Sequence, residues 1–357
     1  MGEQRNMNIT RRSTRRVPVG GIIIGSDAPV AVQTMWDRLV TKDDVDSVLK
    51  EIALLKEYGC SLIRFTVASD EDVPIIGEIA RKSPMPVVAD IHYRHTLALG
   101  AIAEGVHKIR INPGTIGPAW KTREIIKAAK DAPCAIRLGL NGGSLPKEFS
   151  SLESGEAMVA SALMYADIFE QEGFPDVIVS LKSSDPEVTR RASESFALQT
   201  DYPMHLGVTE AGPLIPSVVK STYALTRLLE QGIGDTIRVS ISGSLQEEVI
   251  TGMEILRTLG LAEQGVQIIS CPKCGRARFD THQFMIKHEQ KLHRIRKSLT
   301  IACMGCPVNG INEARHADIG ITGSGNRVII FKKGEIVREV TPEEAEDAFF
   351  EELETLL

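Results

Sequence analysis

Residues 108–112 read Lys-Ile-Arg-Ile-Asn, a short stretch in which polar and apolar side chains alternate. Successive residues of a strand point to opposite faces, so the two isoleucines share one face and the three polar residues share the other. A strand of an open parallel sheet is covered by helices on both sides and is apolar on both faces. The alternation instead predicts a strand whose aliphatic side faces helices and whose polar side faces the interior of a closed barrel.

The same pattern recurs along the first two thirds of the chain, where strand-like runs alternate with amphipathic helical patterns. This order is typical of β/α units that form a parallel sheet. Eight such units predict a (β/α)8 TIM barrel of the α/β class, with its active site at the carboxyl ends of the strands. The predicted strands are Val30–Met35, Ser61–Val67, Val87–His92, Lys108–Asn112, Ala135–Asn141, Val177–Lys182, Met204–Thr209 and Thr236–Ile241.

The rhythm changes after about residue 261, where a Cys-x-x-Cys turn, a charged helix, a second strand, a hairpin and a terminal helix follow one another. A chain of 357 residues also exceeds the usual size of a single hydrophobic core. We therefore expect a TIM-barrel substrate-binding domain over residues 1–261 and a smaller α+β domain over residues 262–357.

Composition narrows the class of protein. The formal net charge of −6 argues against a nucleic-acid binder, because such proteins carry a basic surplus. No apolar run reaches the roughly 18 residues that a membrane helix needs, and no signal-peptide core is present, so a cytoplasmic protein that contacts no membrane is expected. The head of the chain is basic and is predicted to be a solvated arm; its arginines are Arg5, Arg11, Arg12, Arg15 and Arg16.

Five cations fall on inward faces of the predicted strands. A salt bridge explains any single one equally well, but five on five strands favour a phosphate site, because guanidinium groups match phosphate oxygens in geometry and charge. They predict a diphosphate or doubly phosphorylated substrate. The predicted substrate-binding residues are Arg64, Arg110, Asn112, Arg137, Asn141, Lys182, His205, Arg238 and Ser240, and the predicted catalytic residues at the same mouth are Asp90, His92 and Glu210.

The cysteines of the second domain indicate a metal centre. Cys271 and Cys274 lie on one tight turn, as iron–sulfur clusters and zinc sites both require, and a third thiol follows at Cys306. With Cys303 included, the pattern becomes two Cys-x-x-Cys pairs, and a zinc ribbon stays open as an alternative. The long spacing between the pairs disfavours it, and Cys303 is predicted to be a core residue because it is in phase with Ile301 in an apolar run.

Several motifs together resemble one known family, 4-hydroxy-3-methylbut-2-enyl diphosphate synthase of the non-mevalonate isoprenoid route. The resemblance extends over nearly the whole chain. The motifs that carry it are Val32-Gln33-Thr34-Met35, Ala89-Asp90-Ile91-His92, Ile109-Arg110-Ile111-Asn112-Pro113-Gly114, Thr209-Glu210-Ala211-Gly212, Gly234-Asp235-Thr236-Ile237-Arg238-Val239-Ser240, Ser270-Cys271-Pro272-Lys273-Cys274-Gly275-Arg276 and Met304-Gly305-Cys306.

The resemblance implies an iron–sulfur oxidoreductase that reductively opens and dehydrates 2-C-methyl-D-erythritol 2,4-cyclodiphosphate, with electrons from ferredoxin or flavodoxin. It implies a [4Fe-4S] cluster held by Cys271, Cys274, Cys306 and Glu313, with Glu313 also among the catalytic residues. The chain lacks the insertion of plant-type members and is similar to the two-domain bacterial form, in which the cluster domain of one subunit closes over the barrel of its partner. A homodimer is therefore implied.

The chain departs from the family pattern in the loop before Glu313. The family usually has Pro-Gly where this chain has Ile311-Asn312. Three alternatives stay open at this point: a divergent paralogue with an altered substrate, a barrel enzyme of another class with a structural zinc ribbon, and a metal-stapled binding module without catalysis.

Overall fold

The computed structural model describes residues 9–145, 147–149, 151–262 and 264–357, and the chain divides into two compact units after Ala262. In the described part of the first unit, a two-stranded hairpin precedes eight parallel strands. The hairpin is formed by β1 (Val17–Val19) and β2 (Ile22–Ile24), and the parallel strands are β3 (Ala31–Met35), β4 (Leu62–Val67), β5 (Val87–Ile91), β6 (Lys108–Ile111), β7 (Ala135–Asn141), β8 (Val177–Lys182), β9 (His205–Leu206) and β10 (Thr236–Ile237).

The eight parallel strands form a closed barrel. Their order around the sheet is β8-β7-β6-β5-β4-β3-β10-β9, and a parallel bridge between Val179 and Met204 joins β8 to the segment that enters β9. The predicted (β/α)8 barrel is confirmed, although the last two strands are shorter than expected. The helices of this unit are α1 (Val45–Glu57), α2 (Asp72–Lys82), α3 (His95–Ala103), α4 (Pro113–Ile116), α5 (Ala119–Lys130), α6 (Ser154–Gln171), α7 (Pro186–Gln199), α8 (Leu214–Glu230) and α9 (Leu245–Thr258).

The alternation of the strands determines which residues face the helices. Ile109 and Ile111 of β6 are fully buried in the large core between strands and helices, as are the alternate aliphatic residues of β7 and β8 that share their phase, Ile136, Leu138, Leu140, Val177 and Val179. Local capping fixes where the helices begin: the Ser244 side chain accepts the N–H of Glu247 while the Glu247 carboxylate accepts the N–H of Ser244. The carboxylate of Asp185 caps α7 in a similar way, ahead of a proline at its first position.

The β1–β2 hairpin forms the floor of the barrel. Val17, Val19 and Ile24 are fully buried, and they pack with inward residues near the amino ends of the strands, including Leu62 and Val88. Apolar side chains therefore fill most of the lower barrel, where Lys108, in register with Val88 and Ala135, and Thr236, in register with Ala31, are polar. Most polar inward positions lie above them.

The prediction of a solvated N-terminal arm is wrong for Arg11, Arg12 and Arg15. Arg11 forms an ion pair with the buried Asp235 at 2.5 Å, and Arg12 donates to the carbonyl oxygens of Ala197, Thr200 and Tyr202. Arg15 pairs with Asp201 and Glu170. Carbonyl groups left unpaired near the end of α7 attract the Arg12 guanidinium, and carboxylates hold Arg11 and Arg15, so the arm is anchored to the barrel; Arg5 lies outside the described residues.

The second unit is a mixed sheet flanked by helices. Its five strands lie in sequence order, the first three parallel and the last two antiparallel to their neighbours. The elements are β11 (Val266–Ser270), α10 (Thr281–His293), β12 (Leu299–Met304), a π-helix (Val308–Glu313), β13 (Ile319–Ser324), β14 (Arg327–Lys332), β15 (Glu335–Val340) and α11 (Ala345–Glu354). Across the described residues of both units, no helix combines the length and the apolar character that a membrane span requires.

Candidate functional site

A cavity of about 180 Å³ opens at the carboxyl ends of the barrel strands, where polar side chains replace the aliphatic floor. All five predicted cations line it. Most of the other lining residues are hydrogen-bonding or charged groups from the same strand ends. The complete lining is Arg64, Asp90, His92, Arg110, Arg137, Asn141, Ser180, Lys182, Val208, Thr209, Arg238 and Ser240.

Two glycines create the space for this cavity. Gly139 lies two residues from both Arg137 and Asn141 on β7, so it shares their inward face. A Cβ there would lie 2.5 Å from Arg110 Nε. A Cβ on Gly207 would lie 2.7 Å from Lys182 Nζ. Any larger residue at these two positions would collide with the cations, so the absence of side chains is part of the site.

Asp90 organises two of the arginines. Its Oδ1 lies 3.1 Å from Arg110 Nη1, and its Oδ2 lies 3.9 Å from Arg64 Nε. Burial alone would raise the pKa of the Asp90 carboxyl, but the charges of Arg64 and Arg110 outweigh burial and hold that pKa well below its usual range. Asp90 is therefore ionised at neutral pH and carries no proton to donate.

His92 lies beside this cluster in one tautomer. Its Nε2 is 2.7 Å from Arg110 Nη1, and since a guanidinium can only donate, Nε2 accepts. The proton then resides on Nδ1, which lies 3.2 Å from the Thr115 hydroxyl oxygen. The ring is thus oriented from both ends.

Arg137 and Lys182 have no carboxylate partner among the described residues. Arg137 is 1% exposed, and its Nε and Nη1 lack any hydrogen-bond partner in the described part of the chain. Lys182 Nζ lies 3.0 Å from His205 Nε2. Burial first, and neighbouring cations second, lower the pKa of both Arg137 and Lys182 well below their ordinary values. Buried charge of one sign without compensation favours the binding of an anion.

Arg238 is held by a carboxylate that the sequence reasoning missed. Glu248 is 2% exposed; its Oε1 accepts from Arg238 Nη2 at 2.8 Å and its Oε2 from Arg238 Nε at 3.2 Å. The sequence did contain a signal for this buried carboxylate, because Glu248 falls in the buried stripe of α9 with Leu245, Val249 and Gly252. A charged residue within such a stripe requires a buried partner.

Three predicted site residues are absent from the residues that line the cavity. Both polar atoms of Asn112 are engaged elsewhere, since Oδ1 caps α4 through the N–H of Gly114 and Nδ2 donates to the Ser144 hydroxyl. His205 is fully buried, with Nε2 against Lys182 and Nδ1 2.6 Å from the Thr236 hydroxyl. Glu210 is exposed directly after Thr209, in a left-handed conformation with φ of 53°.

The candidate metal centre lies in the second unit, where parallel strands bring two cysteine loops to one edge of the sheet. Ser270 at the end of β11 is in register with Cys303, so Cys271 and Cys306 both follow strand ends at that edge. The N–H of Gly305 donates to Cys271 Sγ at 3.1 Å. Cys274 is exposed, Cys271 is half-buried and Cys306 is 5% exposed.

Cys303 is confirmed as a core residue. It is fully buried among residues such as Ile301 and Phe284. Burial raises the pKa of its thiol to about 12, and burial does the same for Cys60 and Cys134 in the barrel. These thiols stay protonated at neutral pH and are poor metal ligands.

Glu313 ends the π-helix and is exposed. Ile311 and Asn312 are not left-handed; they lie within this helix, which replaces the turn that a Pro-Gly pair would set. Among the described residues, no three His, Cys, Asp or Glu side chains already converge as metal ligands. The donor set nevertheless fits an iron–sulfur cluster: thiols sit on adjacent loops, and an N–H···S bond of the kind that tunes cluster sulfurs supports Cys271.

Known proteins share this architecture. Residues 14–253 match the GcpE TIM-barrel domain and residues 267–355 match the GcpE protein C-terminal domain. A 4-hydroxy-3-methylbut-2-en-1-yl diphosphate synthase (flavodoxin) from Thermodesulfovibrio yellowstonii is 43% identical over 351 residues, covering 97% of this chain and 99% of that one. The enzyme of the same name from Aquifex aeolicus is 42% identical and covers 98% of both.

Among solved structures, the dihydropteroate synthase of Yersinia pestis matches with a TM-score of 0.50 and 15% identity, covering 70% of this chain and 100% of that one. This likeness shows the barrel fold alone. The two family matches and the nearly full-length relatives go further: the chain belongs to the GcpE family, the 4-hydroxy-3-methylbut-2-en-1-yl diphosphate synthases (flavodoxin).

Proposed function

We propose that this protein converts 2-C-methyl-D-erythritol 2,4-cyclodiphosphate to 4-hydroxy-3-methylbut-2-enyl diphosphate in the non-mevalonate isoprenoid route. The reaction takes up a pair of electrons and a pair of protons, opens the ring and releases one water. The observation that carries the proposal is the uncompensated charge of Arg137 and Lys182 at the base of a closed, polar cavity. A cyclic diphosphate supplies the missing negative charge.

The cations of the barrel would bind the diphosphate in two ways, which differ in whether a carboxylate of the protein also holds the cation. Arg137 and Lys182 meet the diphosphate directly, because neither has a carboxylate partner within the described residues. Arg64 and Arg110 approach it in orientations fixed by Asp90. Phosphate oxygens also accept from neutral donors, and Asn141, Ser240 and the hydroxyl of Thr209 complete the binding set at the mouth.

Proton transfer falls to Glu210 rather than to Asp90. The ionised Asp90 positions arginines, and the His92 ring is held between Arg110 and the Thr115 hydroxyl. Glu210 is an exposed carboxyl next to the cavity, and its left-handed backbone costs roughly 1–3 kcal/mol, a strain that concentrates at functional positions. A proton passed to the departing hydroxyl group by way of the Glu210 carboxylate would complete the water that leaves.

Cys271, Cys274, Cys306 and Glu313 would hold a [4Fe-4S] cluster. Such a cluster, when bound, supplies electrons one at a time. The N–H of Gly305 donates to Cys271 Sγ, and the exposed Glu313 would be the one carboxylate ligand, a weaker ligand than the three thiols. Flavodoxin, named in the relatives' activity, or ferredoxin would deliver the electrons to a cytoplasmic homodimer.

The first test is the metal content of protein purified without oxygen, together with its visible spectrum. We expect about four irons and four sulfides per chain, and turnover of the cyclodiphosphate with reduced flavodoxin. Stoichiometric zinc without sulfide would overturn the redox proposal and favour the zinc-ribbon alternative.

A further inference from the structure

The carboxylate of Glu248 is fully occupied inside the barrel wall. Besides the two bonds from Arg238, it accepts from the Thr34 hydroxyl at 2.6 Å and from the backbone N–H of Ile241 at 3.0 Å. These donors come from the first barrel strand, from the segment after the last strand, and from the side chain that enters the cavity. Glu248 therefore lies at the seam where the barrel closes, and every contact restrains its position.

This arrangement leaves the Nη1 nitrogen of Arg238 available to donate to a ligand. Nε and Nη2 are committed to Glu248, while within the described residues the only partner of Nη1 is the sulfur of Met35 at 3.8 Å. A guanidinium held through two of its nitrogens is fixed in its plane. The remaining N–H groups of Arg238, a residue that lines the cavity, then point in directions fixed by the plane of the guanidinium.

We propose that Glu248 is a positioning residue of the anion site, fixing the Arg238 guanidinium so that its free nitrogen meets a phosphate oxygen of the substrate. The inference rests on the proposed function, because it assigns Arg238 to the diphosphate. A simpler role predicts the opposite effect: if Glu248 were only a counter-charge, removing its charge would make the cavity more positive and tighten anion binding.

The sign of the change in affinity separates the two roles. Glu248→Gln keeps the shape of the side chain, removes its charge and leaves one acceptor where there were two. We expect the Kd for inorganic pyrophosphate, measured by isothermal titration calorimetry on the whole protein, to rise about tenfold. We also expect KM for the cyclodiphosphate to rise by a similar factor, with kcat changed less than about threefold, because Arg238 binds ground state and transition state alike.

Glu247→Gln is the matched control. It removes the same charge from the neighbouring residue of the same helix turn, and a glutamine can still accept the N–H of Ser244. Its Kd should stay within about twofold of the parent value. An unchanged or lower Kd in Glu248→Gln, or an equal rise in Glu247→Gln, overturns the inference.

One further variant covers the case in which Glu248→Gln does not fold. Thr34→Val removes one restraint on Glu248 while keeping its charge, and should raise the pyrophosphate Kd about threefold; no change overturns the inference. Where it does fold, Glu248→Gln should have no added effect on affinity in an Arg238→Met background, and a second loss of the same size would show that Glu248 acts elsewhere. The pyrophosphate titrations need no turnover, so they test Glu248 even if the parent protein fails to convert the cyclodiphosphate.

Discussion

Adding one methyl group at Gly139 is expected to disable the cavity while leaving the barrel folded. The new Cβ would lie 2.5 Å from Arg110 Nε and 3.3 Å from its Nη2. Ordinary contact begins near 3.5 Å, so Arg110 must retreat by about 1 Å. This movement disturbs its bonds to Asp90 and to the Gly139 carbonyl. Because a misplacement of about 1 Å can cost a hundredfold in rate, we expect kcat/KM to fall by up to about 100-fold.

Stability should change little. Gly139 is not among the described glycines with positive φ, so alanine fits the backbone, and replacing glycine at such a position stabilises by about 0.4–1 kcal/mol through the unfolded chain. That gain offsets part of the cost of moving Arg110. The melting temperature should therefore stay near the parent value although activity is lost.

Gly155→Ala is the control for this substitution. Gly155 lies in α6, and a Cβ there would meet Val188 at 3.7 Å, which is ordinary contact. This variant should keep parental kcat/KM and gain slightly in melting temperature. The assay is steady-state turnover of the cyclodiphosphate with reduced flavodoxin, alongside thermal unfolding. Parental kcat/KM and pyrophosphate affinity in Gly139→Ala would refute the reasoning, because Arg110 would then tolerate a displacement that the geometry says it cannot.

Three other predictions concern the thiols and the deepest lysine. Cys306→Ser should abolish cluster retention while Cys303→Ser leaves it largely intact, judged by iron and sulfide analysis; equal loss in both would sink the three-cysteine assignment. In cluster-free protein at pH 8, iodoacetamide should label Cys274 but not Cys60, whose thiol pKa burial raises to about 12; mass spectrometry that finds equal labelling would contradict this. Burial, then Arg137, lowers the pKa of the Lys108 amine well below 10.5, so the unfolded chain holds that proton more tightly, and the resulting penalty shrinks as the pH rises toward 10.5. Lys108→Met should therefore raise the melting temperature more at pH 7 than at pH 10, and an equal rise at both would count against a depressed pKa.

The phase of side chains along single strands predicted most of the barrel and its cations. Each strand buries one face and presents polar side chains on the other, so polar and apolar residues alternate along it. The sequence around Arg110 in β6 and around Arg137 in β7 shows this alternation directly. The same reasoning predicted Asn112 as a binding residue because it is in phase with Arg110, whereas its side chain caps α4 and bonds Ser144. The following Pro113 carried the better signal, because Asn before proline is a helix cap.

Features that depend on close approach of distant segments could not be predicted in this way. Strand β13 was missed because Gly320 and Gly323 dilute its pattern. A Cβ on the first would lie 2.1 Å from the Phe331 ring, and one on the second 2.4 Å from the backbone of Arg278. Glycine at these two positions permits close contacts with distant segments, and the sequence alone does not show which segments make them. The pairing of Glu248 with Arg238 likewise depends on three-dimensional closure of the barrel.

The β1–β2 hairpin that closes the floor of the barrel limits how substrate and product can enter and leave the cavity. Val17, Val19 and Ile24 close the amino end with a dry, apolar seal, so the cavity is a blind well with its mouth on the opposite side. Substrate must then enter, and diphosphate product and water must leave, through the same mouth at the carboxyl ends of the strands. A diphosphate product bound to the buried cations would therefore exclude the next substrate, and competitive inhibition by product is expected.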